Sequence, residues 1–322
     1  MIDYYLACGI ISFIAAFLLL KVLIPRLKKA GITGKDENKI GSPEIPEMGG
    51  IAIVAGFSGG LLLAIFFNSF SAFDFNLIYV LAALITIHTI AFIGIIDDLL
   101  NIPQWLKAIL PLFAAIPLVA VNAAGSTSMI LPFIGAIDFG VFYILALIPL
   151  GIAVASNLTN MLAGFNGMES GMGAVMFAAL FLIAMSNDAA EMSIMSISMF
   201  GALIAFFIFN FYPAKVFPGD VGNLTIGVVL ASTVIMGNLE SAGVILVIPY
   251  IMDFLIKATK RFPHTYQEIK NMKLYPRDNK VKGLVHLIMK AFGGITERNL
   301  VLFFIFLEAF FALVAIGLFF RV

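Results

Sequence analysis

Apolar residues in this chain come in long, nearly unbroken runs rather than in alternation. Ten runs, near 4–24, 50–67, 77–96, 105–123, 139–156, 172–186, 193–210, 222–238, 242–258 and 299–319, are separated by short polar stretches. A helix of about 20 apolar residues crosses about 30 Å of hydrocarbon at 1.5 Å per residue, so each run predicts a membrane-spanning helix. The pattern predicts an all-α, polytopic membrane protein of about ten transmembrane helices, organised as one integral-membrane domain over 1–322. The run near 4–23 has no basic segment before it and no small-residue cleavage site. Lys21, Arg26, Lys28 and Lys29 follow it, so it reads as a retained first span.

Composition agrees with the pattern. Hydrophobic residues make up 61% of the chain and charged ones 12%, against about 25% charged in ordinary soluble domains. A mean hydropathy of +1.07 excludes a soluble globular domain. The single cysteine, Cys8, lies in the first span, so disulfides play no part and the redox compartment is not indicated.

The formal net charge is zero, yet the charges are unevenly placed. Ten spans put the connections 25–49, 97–104, 157–171, 211–221 and 259–298 on one side. The connections 68–76, 124–138, 187–192 and 239–241 fall on the other. Of the 19 Lys and Arg residues, only Arg321 belongs to the second side. That side carries Asp74, Asp138, Asp188, Glu191 and Glu240. The positive-inside bias then predicts the first group of loops in the cytoplasm and both termini outside.

Candidate chemistry falls on the basic side as well. The stretch 157–171, NLTNMLAGFNGMESG, holds three asparagines, a glutamate and three glycines in an otherwise apolar chain. It reads as a polar loop between two spans, either a ligand site or a plain connector. The stretch GIIDDLLNIPQWLK sets Asp97 and Asp98 at the end of an apolar helix. Adjacent carboxylates at a membrane boundary repel one another and lose hydration. A cation, a substrate phosphate or a proton-transfer task would use them; otherwise they are acids at an ordinary helix end.

NFYPAKVFPGDVGN places Asp220 in a glycine turn before a helix, where a lone acid is usually an N-cap. The first loop, with charges of both signs, reads as a solvated connector. In the longest and most basic loop, Leu284, Leu287, Ile288 and Phe292 share one helical face, with Lys282, His286 and Lys290 away from it. This predicts an interfacial helix lying on the membrane, its lysines serving to bind anionic headgroups. Inside the spans, His88 and Glu308 are expected to pack against neighbouring helices or a headgroup groove rather than to form a relay, and Asp253 lies nearer a cytoplasmic end.

Together these loops offer Asp97, Asp98, Asn101, Asn157, Asn160, Asn166, Asp220 and Lys107. Carboxylate and amide oxygens without a Cys or His cluster suit a hard cation. Mg²⁺ takes one or two carboxylates and completes its shell with waters and phosphate oxygens. A basic rim would neutralise the remaining phosphate charge. The expectation is Mg²⁺-dependent chemistry on a phosphorylated substrate at the membrane face. A secondary transporter would also fit ten spans, but transporters hold substrate near the midplane on broken helices, often in repeated halves.

The motifs IPE (45–47), DDLLN (97–101) with Lys107, NLTNMLAGFNG (157–167), FNFYPAKVFPGD (209–220) and GGITERNL (293–300) resemble the polyprenyl-phosphate N-acetylhexosamine-1-phosphate transferases. The likeness is greatest to the archaeal and eukaryotic branch acting on UDP-GlcNAc and dolichyl phosphate. It covers the chain from about Ala30 to the last span. LAGFNG stands where bacterial relatives, which make undecaprenyl-linked sugars for cell-envelope polymers, have an aspartate-containing loop.

The resemblance implies transfer of N-acetylglucosamine 1-phosphate from UDP-GlcNAc to dolichyl phosphate with release of UMP. This is the first step of lipid-linked oligosaccharide synthesis for N-glycosylation. It implies Mg²⁺ on Asn160 and Asp220, an acidic pair Asp97 and Asp98 supported by Asn101, and a phosphate contact from Lys107. Gly164 and Asn166 would hold uracil and ribose, Phe217 would pack near the base, and Glu47 would meet the ribose. The Arg-His-Arg run of eukaryotic members is replaced by KRFPHT, which leaves Arg261 for the pyrophosphate and His264 for the N-acetyl group. A homodimer and an archaeal cell membrane, with the site facing the cytoplasm, are further expectations; nucleic acid is not an expected partner.

Overall fold

The computed structural model describes residues 2–131, 135–263 and 265–321. Its helices are α1 (Ile2–Ala30), α2 (Gly50–Phe70), α3 (Leu77–Leu100), α4 (Gln104–Ala114), α5 (Ile116–Ala120), α6 (Ile148–Met161), α7 (Met168–Ser186), α8 (Ala190–Asn210), α9 (Gly219–Met236), α10 (Glu240–Leu246), α11 (Ile248–Thr259), α12 (Leu284–Ala291) and α13 (Glu297–Phe319). A five-residue π-helical segment, Tyr143–Leu147, leads into α6. The expectation of an all-α chain needs one amendment. Three antiparallel hairpins sit in the connections: β1 (Thr33–Lys35) with β2 (Glu44–Pro46), β3 (Ser128–Leu131) with β4 (Gly135–Asp138), and β5 (Gln267–Lys270) with β6 (Lys273–Pro276).

Among the described residues, eight helices are long and apolar enough to cross a membrane. The pair α10 and α11, bent by 62°, makes a ninth if counted as one span. Pro249, in the first turn of α11, has no N–H to continue the helical ladder, and its ring crowds the preceding turn. The expected span at 105–123 is the shorter apolar helix Gln104–Ala120, interrupted between α4 and α5. So the expected count of ten membrane-spanning helices is not confirmed: among the described residues there are eight, or nine with the bent pair.

Every residue of α9 except Asp220 is buried. A helix apolar or small on all sides belongs at the centre of a bundle, and α9 packs against α3, α6, α2 and α8. Close approach requires small residues, since between helices in lipid the gain comes from backbone-level packing. At Gly94 of α3 a Cβ would lie 2.5 Å from the Cα of Val221.

Hydrogen bonds sort the connections onto two ends of the bundle. At one end, the Phe217 N–H donates to the Pro46 carbonyl (2.8 Å), Asn38 Nδ2 donates to the Gly164 carbonyl (2.7 Å), and Gln267 donates to Asn38. At the other end, the Asn76 N–H donates to Glu191 (2.6 Å), Asn187 Nδ2 to the Phe319 carbonyl (2.8 Å), and the Arg321 N–H to Ser186 (3.2 Å). This is the alternation expected from the runs and the charges.

Two local expectations are corrected. The polar stretch 157–171 is mostly helical: α6 continues through Met161 and α7 begins at Met168, which leaves a short turn. The amphipathic helix α12 exists, but it buries Leu284, Val285, His286 and Met289 and leaves Leu287 and Phe292 exposed. His88 does bond its helix neighbours, with ring nitrogens 2.7 Å from the Leu84 carbonyl and 3.1 Å from Ser58 Oγ. Glu308 is fully buried, and neither oxygen has a hydrogen-bond partner among the described residues.

Candidate active site

The site is built where the end of α3, the start of α4 and the start of α9 meet. Asn101, left-handed at φ 51°, closes α3 by donating its N–H to the Asp97 carbonyl (2.8 Å). The Asp97 side chain turns back to accept the Ile102 N–H (2.9 Å). Asp98 points across the gap instead. Its two oxygens accept the N–H groups of Asp220 (2.7 Å) and Val221 (3.1 Å).

These are orphan donors of the first turn of α9, and the helix dipole favours a negative charge there. Asp98 thus caps a helix from a distant part of the chain. The sequence-based placing of Asp220 as an N-cap is therefore corrected: Pro218 holds that position, and Asp220 is in the first turn. Gly219 sits at φ +67°, and a Cβ on it would lie 2.5 Å from Asp98 Oδ2, so both backbone and space require glycine. Lys107, from the first turns of α4, forms ion pairs with both Asp97 and Asp220.

The end of α6 completes the edge. Asn223, one turn after Asp220 and on the same helical face, donates from Nδ2 to Asn160 Oδ1 (3.1 Å). Thr159 Oγ1 donates to the Asn223 carbonyl (2.8 Å). Asn223 Oδ1 is buried and has no hydrogen-bond partner among the described residues. Asn157 bonds the Ala153 carbonyl of its own helix (2.8 Å).

These groups border a cavity of about 490 Å³ lined, among others, by Glu47, Asn160, Gly164, Phe217, Asp220 and Asn223. The Glu47 carboxylate and the Phe217 ring lie side by side, 3.0 and 3.4 Å from the point where a Gly34 Cβ would stand. Burial first, then the neighbouring Asp220 carboxylate, push the Glu47 carboxyl above its ordinary value.

Not every expected residue reaches this cavity. Asp97, Asp98 and Lys107 stand behind Asp220 and hold it in place, while Asn101 is an exposed cap. Asn166 is only 2% exposed and is turned away from the lining. Its N–H donates to Glu297 (2.9 Å) and its Nδ2 to Asp36 (3.0 Å), and Lys39 pairs with both of those carboxylates. Gly164, at φ +113°, does line the cavity. Arg261 is exposed and outside the lining. His264 lies outside the described residues.

Sequence reasoning missed Asp36 and Lys39, whose loop of mixed charge read as a solvated connector, and gave no role to Glu297 within the GGITERNL motif. It also missed Asp253, Lys257 and His286, which line the same cavity.

Among the described residues no three His, Cys, Asp or Glu side chains gather as a metal cage. Asp97 and Asp220 share one ammonium, Lys107, the Glu47 and Asp98 carboxylates adjoin Asp220, and the orphaned Asn223 oxygen lies one turn along α9. This all-oxygen donor set fits a hard cation that takes few protein ligands.

A bundle of membrane-length helices with a carboxylate- and amide-lined cavity at one end defines an integral-membrane protein that handles a polar ligand at the membrane face. The chain belongs to glycosyl transferase family 4, whose family model matches residues 77–238. That region runs from α3 through α9 and includes the Asp97–Asp98–Lys107–Asp220 assembly and Asn160.

A Sulfolobus acidocaldarius protein named as a UDP-N-acetylglucosamine–dolichyl-phosphate N-acetylglucosaminephosphotransferase is 36% identical over 315 residues, 95% of this chain and 94% of its own. The Dictyostelium discoideum protein of that name is 28% identical, covering 96% of this chain and 88% of its own. A phospho-N-acetylmuramoyl-pentapeptide-transferase of Halalkalibacterium halodurans is 32% identical over 72% of this chain and 74% of its own.

Proposed function

We propose that this protein transfers N-acetylglucosamine 1-phosphate from UDP-GlcNAc to dolichyl phosphate, or a closely related polyprenyl phosphate, giving the lipid pyrophosphate sugar and UMP. The observation that carries the reading is the pairing of the site with full-length similarity. The relatives named for this reaction match nearly the whole chain, and the bacterial pentapeptide transferase matches about three quarters. The basic residues of the loops at the cavity end support an orientation toward the cytoplasm, where nucleotide sugars are made. The similarity to a Sulfolobus protein supports an archaeal cell membrane.

In this reaction an oxygen of the lipid phosphate bonds to the β-phosphorus of the nucleotide sugar, and the bond from that phosphorus to the UMP oxygen breaks. Phosphoryl transfer needs alignment and charge stabilisation more than covalent help. A phosphate monoester has its second pKa near about 6 and is already largely ionised at neutral pH, so the acceptor needs no strong base. Asp98 is engaged in capping α9 and Asp97 in holding Lys107, so the acidic pair positions Asp220 and Lys107. Asp220 and Asn160 are the residues to hold Mg²⁺, which would add positive charge to the pyrophosphate oxygens. Glu47 and Phe217 form the wall available to the nucleoside.

The test is incorporation of radiolabelled sugar phosphate into lipid by the purified protein, with and without Mg²⁺. Asp220→Asn is expected to lower turnover at least about 100-fold while leaving the melting temperature close to wild type. Wild-type turnover by Asp220→Asn would overturn the metal assignment, and absence of any lipid product from wild type would overturn the reaction.

A further inference from the structure

Two of the helices that line the cavity, α11 and α12, also border a second cleft. On α11, Asp253 and Lys257 line the cavity, while Ile256 and Lys260 line the cleft. On α12, Val285 and His286 line the cavity, while Leu287 and Lys290 line the cleft. The stretch between β6 and α12 supplies Lys280 and Lys282. The cleft encloses about 630 Å³. Asp253 Oδ1 accepts the Leu284 N–H (2.8 Å), so the two helices are tied to one another where they separate cavity from cleft.

The charge of the cleft has one sign. Lys260, Lys280, Lys282 and Lys290 line it, no carboxylate does, and its other lining side chains are apolar. Among the described residues, Lys260, Lys280 and Lys290 form no ion pair. Nearby acids are held by other lysines, Asp253 by Lys257 and Glu268 by Lys270. Like charges gathered in one cleft repel one another, and an anion seated among them relieves that repulsion. The position of the cleft points to a lipid anion. Lys260 directly follows α11, the second half of the bent span, and so lies where hydrocarbon gives way to headgroups. Met252, Ile256 and Lys260 are spaced by four and share one face of α11. Met252 is exposed there, as is Leu287 across the cleft, so an apolar strip leads from the ammoniums down the span. A soluble phosphate would leave that strip unused.

We propose that this cleft binds the headgroup phosphate of an anionic phospholipid, with an acyl chain lying along Ile256 and Met252 of α11. The sequence predicts headgroup contacts spread along a helix lying flat on the membrane. The structure instead joins Lys290 to Lys260 and Lys280, which lie outside that helix, around one cleft of defined shape. A lipid held there braces α11 against α12, whose neighbouring faces line the cavity. Binding at this cleft does not depend on the transferase reading.

Native mass spectrometry of the purified full chain, titrated with phosphatidylglycerol or phosphatidylcholine, reads the binding. Wild type is expected to hold phosphatidylglycerol at least about tenfold more tightly than phosphatidylcholine. The triple variant Lys260→Gln/Lys280→Gln/Lys290→Gln is expected to lose that preference. All three lysines are exposed, so its melting temperature without lipid should match wild type. Phosphatidylglycerol should raise the melting temperature of wild type and not that of the triple variant. Arg26→Gln/Lys28→Gln/Lys29→Gln removes as much charge from the exposed end of α1 and should keep the preference. Equal loss in the two triple variants would mean diffuse surface charge and would overturn the proposal, as would a wild type that does not distinguish the two lipids. Millimolar inorganic phosphate is expected to leave phosphatidylglycerol bound. Its displacement by phosphate alone would make the cleft a site for a soluble anion and overturn the lipid assignment.

Discussion

At the scale of single residues, the site is a set of carboxylates whose work is divided by their partners. Asp97 holds a lysine, Asp98 caps a helix, and Asp220 is the one residue of α9 that is not buried. Glu47 differs again, its carboxyl raised by burial and by Asp220. Its ionised form is disfavoured in the folded protein, so its stabilising contribution is full at low pH and is lost as pH rises through the folded value. Glu47→Gln removes that dependence. Without divalent cations, the melting temperature of Glu47→Gln relative to wild type is expected to climb over the pH range above the ordinary carboxylate value. A gap that stays flat or narrows over that range would contradict the assignment. Added Mg²⁺ should reduce the climb, because a cation near Asp220 favours the ionised form.

At the scale of elements, catalytic geometry depends on how closely α3 approaches α9. The Asp98 cap works only because Gly94, one turn earlier on α3, lets the Val221 backbone come into contact. In Gly94→Val the new Cβ would press on backbone atoms of Val221 and Asp220 that cannot swing aside. Overpacking of this kind costs about 1–3 kcal/mol, and here it also separates the cap from its helix. The variant is expected to melt several degrees lower and to lose transfer activity by more than about tenfold. Gly317→Val on α13, where nothing lies within 4 Å, is the control and should behave as wild type. Matching behaviour of the two variants would mean that α3–α9 contact does not set the site.

At the scale of the whole molecule, sidedness links the site to its substrate. Asn271 is exposed in the turn between β5 and β6, at the cavity end, and Ala136 is exposed on β4 at the opposite end. In a Cys8→Ser background, a cysteine at Asn271 should resist an impermeant thiol reagent in intact cells, and one at Ala136 should react. The reverse labelling would put the cavity on the outer face, and the nucleotide-sugar reading would fall with it.

Long apolar runs by themselves determined the helices, and the placement of Lys and Arg determined which connections share an end. Lipid imposes both, since an unbonded backbone group in hydrocarbon is too costly for anything but helices or closed barrels. The acids at 97, 98 and 220 and the asparagine at 160 were legible as oxygen donors because charged and amide groups are rare in such a chain. What each donor does was decided by tertiary contact. Asp98 meets the Asp220 N–H across 122 residues, and Asn166 meets Asp36 across 130. No local pattern encodes such pairs. The same holds for α12: its 3.6-residue period showed which side chains share a face, but not that His286 would turn inward and Leu287 outward. Lipid and protein interior are equally apolar hosts, so hydrophobicity cannot separate a membrane-facing side from a core-facing one. Only the packed bundle makes that distinction, and it brings His286 into the lining of the cavity.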